Sequence, residues 1–392
     1  MSRPYKIMLV AAEASGDVLG AGLARALKAR LGAGKVVFVG VGGEAMAAEG
    51  VESPFDISDL SILGALEGVL AYPRIRKRVA ETAALAAREK PDVAVLIDSW
   101  GFTLRVAKAL RAADPSLPLI KYVAPQVWAS RPGRAKTLAG AVDHLLAIHA
   151  VDAGYFEREG LPTTFVGNPA LTRDFGRADG DRLRQAIGAA PDDPILLVLP
   201  GSRPSEITHL MAPFEAAVNA LEANRPRLHI VLPVAGTVAD LVRASVATWR
   251  WPPYLVEDER LKFDAMAAAT VALACSGTVT TELALAGCPM VVAYKVGAIT
   301  AMVVRIVIRT PYITLFNIAA GAPVAPEFIQ ENCTGEKLAH ALAVRLDDEK
   351  LRETQIAAQT AALLKMGRGG PDPAEKAAEV VARFLLEKTP AA

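Results

Sequence analysis

The residues best suited to chemistry stand where β-branched runs end. Val93-Ala94-Val95-Leu96-Ile97 closes in Asp98-Ser99-Trp100-Gly101-Phe102, which places a carboxylate at the carboxyl end of a buried strand. Ligands of open α/β sheets bind at that edge, and an acid there suits a general base for a hydroxyl nucleophile. It equally suits the cap of the next helix. Trp100 and Phe102 read as a wall for an apolar substrate or as core. An earlier run, Ile7 to Val10, leads into Ala11-Ala12-Glu13-Ala14-Ser15-Gly16-Asp17. Small residues and a glycine between strand and helix admit a substrate close to the backbone and to a helix N-terminus, although Ser and Asp are also ordinary caps.

A second pair of strand ends carries different residue types. These are Leu199-Pro200-Gly201-Ser202-Arg203 and Ala274-Cys275-Ser276-Gly277-Thr278, the latter with Glu282 about one helical turn further on. Such turns offer backbone N–H groups to a diphosphate, Arg203 adds a permanent forked cation, and Glu282 can accept two hydrogen bonds from a ribose. Capping boxes and a surface ion pair are the plainer account of the same residues.

Other signals narrow the field. Gly40-Val41-Gly42-Gly43 follows a strand but lacks the acidic residue a ribose needs after the next one, and neither G-x-x-x-x-G-K-[ST] nor G-x-S-x-G occurs. Asp179-Gly180-Asp181 has the spacing of a metal-holding D-x-D but sits in a stretch that reads as a linker. His144, His149, His209, His229 and His340 do not pair at ligand spacing, so no metal or other cofactor is expected. Cys275, Cys288 and Cys333 are odd in number and make no C-x-x-C, which suits a reducing cytoplasm. From Ile62 to Arg78 an apolar stretch runs into Arg74, Arg76, Lys77 and Arg78. It reads either as a core helix with a solvated basic end, or as an interfacial segment with Leu63, Leu66, Val69 and Leu70 at the acyl boundary and the cations on anionic headgroups.

Positioning these residues takes an alternating fold. Short β-branched runs alternate with longer Ala/Leu/Arg segments of helical period, the pattern of βαβ units and parallel sheets. Strands are predicted near Ile7-Val10, Val36-Val39, Val93-Ile97, Leu119-Val123, Leu145-Ile148 and Thr164-Val166, then near Ile195-Leu199, His229-Leu232, Val271-Ala274, Met290-Ala293 and Tyr312-Leu315. A tract dense in turn formers places a linker at 171–194 between an N-terminal domain, 1–170, and a C-terminal domain, 195–392, whose last part reads as an amphipathic helix. The fold class is α/β, two tandem Rossmann-like open parallel sheets with an interdomain cleft at the carboxyl ends of their strands.

The 392 residues suffice for two cores, and 52% hydrophobic residues exclude a disordered chain. Lys+Arg 43 against Asp+Glu 42 leaves a net charge of +1, which excludes a surface built as a whole for nucleic acid. The N-terminus runs directly into a strand, which predicts no signal peptide, and Lys295 and Arg305 interrupt the apolar stretch Pro289 to Ile308. A cytoplasmic protein that meets a membrane only at its surface is expected.

Several segments together resemble the lipid-A-disaccharide synthases, in order and spacing across nearly the whole chain. They are Glu13-Ala14-Ser15-Gly16-Asp17, Ile97-Asp98, Tyr122-Val123-Ala124-Pro125-Gln126-Val127-Trp128-Ala129, Pro200-Gly201-Ser202-Arg203, Ser276-Gly277-Thr278 with Glu282, and Asn317 followed by Gln330. The resemblance implies a GT-B fold and inverting, metal-independent transfer of diacylglucosamine from UDP-diacylglucosamine to diacylglucosamine 1-phosphate at the inner membrane, with release of UDP. It implies Asp98 as base, with Arg203 and Asn317 also serving catalysis. Gly201, Ser202, Arg203, Ser276, Gly277, Thr278, Glu282, Asn317 and Gln330 are implied at the nucleotide, and Ser15, Gly16, Asp17 and Trp128 at the acceptor. The family's membrane-facing apolar loop aligns with 62–78.

Three departures stand out. Ser99-Trp100-Gly101-Phe102-Thr103 replaces the usual Ala-Pro-Asp-Phe-Asn, Ser130 stands where a Trp is usual, and Ala322 stands where an Arg is often found. The rivals are another UDP-sugar GT-B enzyme, either an N-acetylglucosaminyl transferase or an epimerase, and a catalytically silent nucleotide-sugar or lipid binder. Acyl length and a homodimeric state stay open.

Overall fold

The structure, a computed structural model, describes residues 3–60, 72–128, 130–297 and 310–387. The chain divides into two compact units: residues up to Pro169 together with those from Gly370 onward, and Ala170–Gly369.

The first unit is built on six parallel strands, β1 (Tyr5–Val10), β2 (Val36–Val41), β3 (Val93–Ile97), β4 (Leu119–Tyr122), β5 (His144–Ala147) and β6 (Thr163–Phe165), in the order β2-β1-β3-β4-β5-β6. β1 and β3 pair with Ile7 opposite Val93 and Val10 opposite Leu96. Both are buried on two faces, so they read as continuous apolar runs, and alternate residues feed separate cores. Met8, Val10, Ala94 and Leu96 pack with Phe102 and Val106 on one side, while Ile7, Leu9, Val95 and Ile97 pack with Leu23 and Leu27 on the other. The direction of strand succession reverses between β1 and β3. The turn at Ser15-Gly16 and the turn at Asp98 therefore flank the crevice where ligands of such sheets bind.

The second unit repeats the plan with β7 (Ile195–Leu199), β8 (His229–Pro233), β9 (Tyr254–Val256), β10 (Val271–Cys275), β11 (Met290–Tyr294) and β12 (Glu327–Ile329), ordered β12-β11-β10-β7-β8-β9 and all parallel. Here the reversal lies between β7 and β10, the strands that end in Gly201-Ser202-Arg203 and Ser276-Gly277-Thr278. Among the described residues no helix is long and apolar enough to cross a membrane.

Four expectations are corrected. Tyr312-Leu315 is not a strand: the Ile313 and Thr314 N–H groups donate to the Glu327 carboxylate, both at 2.9 Å, and a helix opens at Leu315. The sixth strand is instead the short Glu327–Ile329, and Tyr254–Val256 is a further edge strand that three residues were too few to announce. The proposed linker is folded into the second unit. Asp179 accepts from the Asp181 and Arg182 N–H groups to cap the Gly180–Ile187 helix, and the Arg182 guanidinium grips buried Asp264. Finally, the Pro373–Glu387 helix belongs to the first unit, where Ala377, Val381 and Leu385 join the core behind β1 and β3.

Candidate active site

In the first unit Asp98 is held from below. Its N–H donates to the Tyr122 carbonyl at 2.8 Å, and its own carbonyl accepts from the Lys121 ammonium and from the Thr103 hydroxyl, the latter at 2.7 Å. Lys121 is fully buried and also donates to Thr103 Oγ1 at 2.8 Å. Burial pushes its pKa down to about 7, against the opposing pull of Asp98 and Glu13. Asp98 and Ser99 lie at φ +49° and +37°, and Val123, at the end of the neighbouring strand, at +72°. For a β-branched residue that is a genuine outlier, and such strain gathers where function needs it. The Asp98 carboxylate is half-buried, with the exposed Ser15 hydroxyl 3.4 Å from Oδ2. A Cβ at Gly16 would come 3.3 Å from the Ala11 Cβ, a tight contact, and 3.7 Å from the Asp98 Cβ, an ordinary one.

The other expected acceptor residues are otherwise engaged. Asp17 turns away, accepting from the N–H groups of Gly43, Ala45 and Met46 at 2.7–3.0 Å, so it organises the glycine turn after β2. Trp128 is buried and donates through Nε1 to Asp152 at 3.0 Å; burial lifts the Asp152 carboxyl to about 7. Phe102 is core, and Trp100 stays half-exposed. Of the expected membrane contacts, Leu63, Leu66, Val69 and Leu70 lie outside the described residues. Arg74, Arg76 and Lys77 are exposed on the Tyr72–Glu89 helix. Arg78 is not available to a headgroup, since it pairs with Asp59 and Glu81 and stacks on Phe55.

In the second unit Gly201, Ser202, Arg203, Ser276, Gly277, Thr278 and Glu282 line one cavity of about 480 Å³. The ends of β8 and β9 complete it with Pro233-Val234-Ala235-Gly236 and with Glu257 to Glu259 and Lys262. Its two helix N-termini differ. At the Pro204–Glu222 helix, buried Glu206 already accepts from the Ser202 and Arg203 N–H groups at 2.9 and 3.2 Å, so this end does not offer those donors to an anion as expected. The Thr278–Leu285 helix opens without a side-chain cap, and its end faces the cavity. Arg203 is largely solvent-exposed at the rim, touching Glu206 at 3.0 Å.

Glu282 does not stand alone. Its two oxygens are met by Arg173 and by Lys262, the latter at 3.0 Å, and both cations lie over the Phe263 ring. Neither cation was marked by a motif in the sequence. Asn317 is fully buried, its amide donating to Ala325 O and Glu327 Oε1 and accepting from Ala325 N, which makes it the lock of the 313–327 turn. It does not line the cavity, and neither does Gln330, whose Oε1 accepts from Val296 N at 3.4 Å. The three cysteines are free and buried, and burial pushes Cys275 and Cys288 up to about 12, so they remain inert thiols.

The family described as Lipid-A-disaccharide synthetase matches residues 7–381. A lipid-A-disaccharide synthase of Rhodospirillum centenum is 41% identical over 386 residues, which is 98% of this chain and 96% of that one. Among solved structures, a putative UDP-N-acetylglucosamine 2-epimerase from Listeria monocytogenes aligns with a TM-score of 0.63 at 14% identity, covering 99% of this chain and 98% of the other. The S. aureus MnaA–UDP co-structure aligns with a TM-score of 0.62 at 15% identity over 99% of both. At such identities the structural likeness speaks for the fold, the two-sheet GT-B architecture.

Proposed function

The chain belongs to the lipid-A-disaccharide synthase family, glycosyltransferases of lipid A biosynthesis, and from that premise we propose how this protein performs the transfer. The donor is UDP-diacylglucosamine and the acceptor diacylglucosamine 1-phosphate. The observation that carries the assignment of the donor is the convergence of seven expected residues, from the ends of β7 and β10, on one cavity lined also by Lys262. The diphosphate lies against the uncapped Thr278–Leu285 N-terminus, with Lys262 and the exposed Arg203 guanidinium answering its charge. The Pro233–Gly236 turn gives the base an apolar wall.

Asp98 takes the proton of the acceptor's primary hydroxyl as that oxygen attacks C1 of the donor sugar. The bond from C1 to the diphosphate oxygen breaks, its electron pair leaves with UDP, and the configuration at C1 inverts. Lys121 and Thr103 act as positioning residues, fixing the Asp98 carbonyl and with it the direction of the carboxylate. Because both substrates carry acyl chains, segment 62–78 docks the protein on the cytoplasmic face of the anionic inner membrane. Arg74, Arg76 and Lys77 are its exposed cations, Lys77 lying 3.9 Å from Glu81; a cation near such a surface contributes about 1 kcal/mol.

Incubation with both acylated substrates, read by mass spectrometry, is expected to yield the disaccharide 1-phosphate and an equal amount of UDP. Free sugar formed from the donor alone would place the protein with the epimerases, and nucleotide binding without any product would make it a silent binder.

A further inference from the structure

Three arginines gather around the start of the Trp100–Ala113 helix, directly after Asp98. Arg134 is half-buried, with its guanidinium 5.0 Å from the centre of the Trp100 ring. Arg131, one turn earlier, is exposed and held at φ +51°, and Arg105 lies over Tyr72 while donating to the Gly101 carbonyl. Elsewhere in the same unit Arg3, Arg25, Arg78 and Arg111 each sit on a carboxylate, whereas Arg74, Arg76 and Arg158, which also lack one among the described residues, are exposed to solvent. Among the described residues no carboxylate pairs with Arg105, Arg131 or Arg134, and the helix they surround opens without a side-chain cap. Burial, reinforced by the charge of Arg131, disfavours the Arg134 cation. A half-buried guanidinium kept in that state, beside a second cation and on an aromatic face, lacks the anion its forked donors fit.

We propose that Arg134, seated on Trp100 and assisted by Arg131 and Arg105, binds the phosphate monoester of the acceptor. The inference rests on the reaction above, in which the acceptor carries its phosphate on the same sugar ring as the attacking hydroxyl. A site for that phosphate therefore belongs within a ring's width of the base, and Trp100 stands two residues beyond Asp98.

The test compares two acceptors, diacylglucosamine 1-phosphate and its dephosphorylated form, in detergent micelles without phospholipid. Wild-type protein is expected to favour the phosphorylated acceptor in kcat/KM by roughly 10- to 100-fold, the worth of a charge-assisted pair. Arg134→Gln is expected to erase most of that preference, lowering kcat/KM for the phosphorylated acceptor far more than for the dephosphorylated one. Arg134→Lys, which keeps the charge without the fork, should retain part of it. Arg131→Gln, at an exposed position, gives a second reading with less risk to folding and is expected to reduce the preference severalfold. If both Gln variants discriminate as the wild type does, the proposal is overturned. It is equally overturned if they lose binding to anionic vesicles yet keep acceptor discrimination, since the arginines would then serve a lipid headgroup. Absence of disaccharide from wild-type protein with either acceptor would instead refute the underlying reaction.

Discussion

Asp98 and Ser99 hold left-handed backbone that costs non-glycine residues of order 1 kcal/mol or more each, and hydrogen bonds from Lys121 and Thr103 to the Asp98 carbonyl hold it in place. Lys121 and Thr103 fasten the Asp98 carbonyl from inside the sheet while the carboxylate faces outward. Asp98→Asn preserves this shape and removes only the base, so kcat should fall roughly 10²- to 10⁴-fold with UDP affinity intact; turnover near the wild-type rate would remove Asp98 from its role. Lys121 makes a separate prediction. Its ordinary value is 10.5, and burial lowers it to about 7 in the folded protein. Between those values the unfolded chain binds more protons than the folded one, so this residue makes stability rise with pH from about 7 upward, and its contribution is flat below. Thermal melts of wild type and Lys121→Met across that window should therefore diverge in favour of the wild type as pH increases. Parallel curves would mean the ammonium is not buried as described. Asp98 was legible because it ends an apolar run. Lys121 was not, since nothing in the local pattern separates a lysine that points into the core from one at a surface.

At the scale of elements, the turn after β7 depends on Gly201. Its φ is +115°, and a Cβ would fall 2.2 Å from Glu206 Oε2, the atom that accepts from the Ser202 and Arg203 N–H groups. Gly201→Ala must displace Glu206 and strain the backbone, at a cost of about 1–3 kcal/mol. Calorimetric titration with UDP is expected to show weakened binding together with a lower Tm, and unchanged values for both would deny the turn its part in the cavity. The spacing of glycine, hydroxyl and arginine announced the turn, but not that Glu206 would take its N–H groups. The same reasoning failed at Tyr312-Leu315, because a Tyr-Ile-Thr-Leu run satisfies strand propensity equally well when its N–H groups are taken by a carboxylate. Glu327 supplies that carboxylate from 13 and 14 residues away, and no local pattern announces it.

For the whole molecule, the proposed reaction has Arg203, Lys262 and the Thr278–Leu285 helix N-terminus answer the charge of the leaving diphosphate beside the cavity's own carboxylates, and on that reading activity should be unchanged in EDTA. Loss of rate restored by magnesium or manganese would reopen the metal question. Removal of residues 370–392 is expected to lower the Tm sharply, because Ala377, Ala378, Val381 and Leu385 are buried in the first unit's core; a truncated chain melting like the parent would contradict that packing. Neutralising Arg74, Arg76 and Lys77 should reduce the salt-sensitive part of vesicle binding, read by sedimentation at low and high salt, while Arg78→Gln should act through stability instead, its partners being Asp59 and Glu81. By itself the sequence determined the α/β class, the strand ends on which the candidate residues stand and the family, because burial periodicity, turn residues and motif spacing are properties of neighbours along the chain. Only the tertiary structure decided which side chains remain available for a ligand. Asp17 is taken by Gly43, Trp128 by Asp152, Asn317 by Glu327, and Glu282 by Arg173, partners 26, 24, 10 and 109 residues apart. Buried polar groups must find such partners, and which partner each one finds is set by the packing of sheets and helices, to which a linear pattern of residue types is blind.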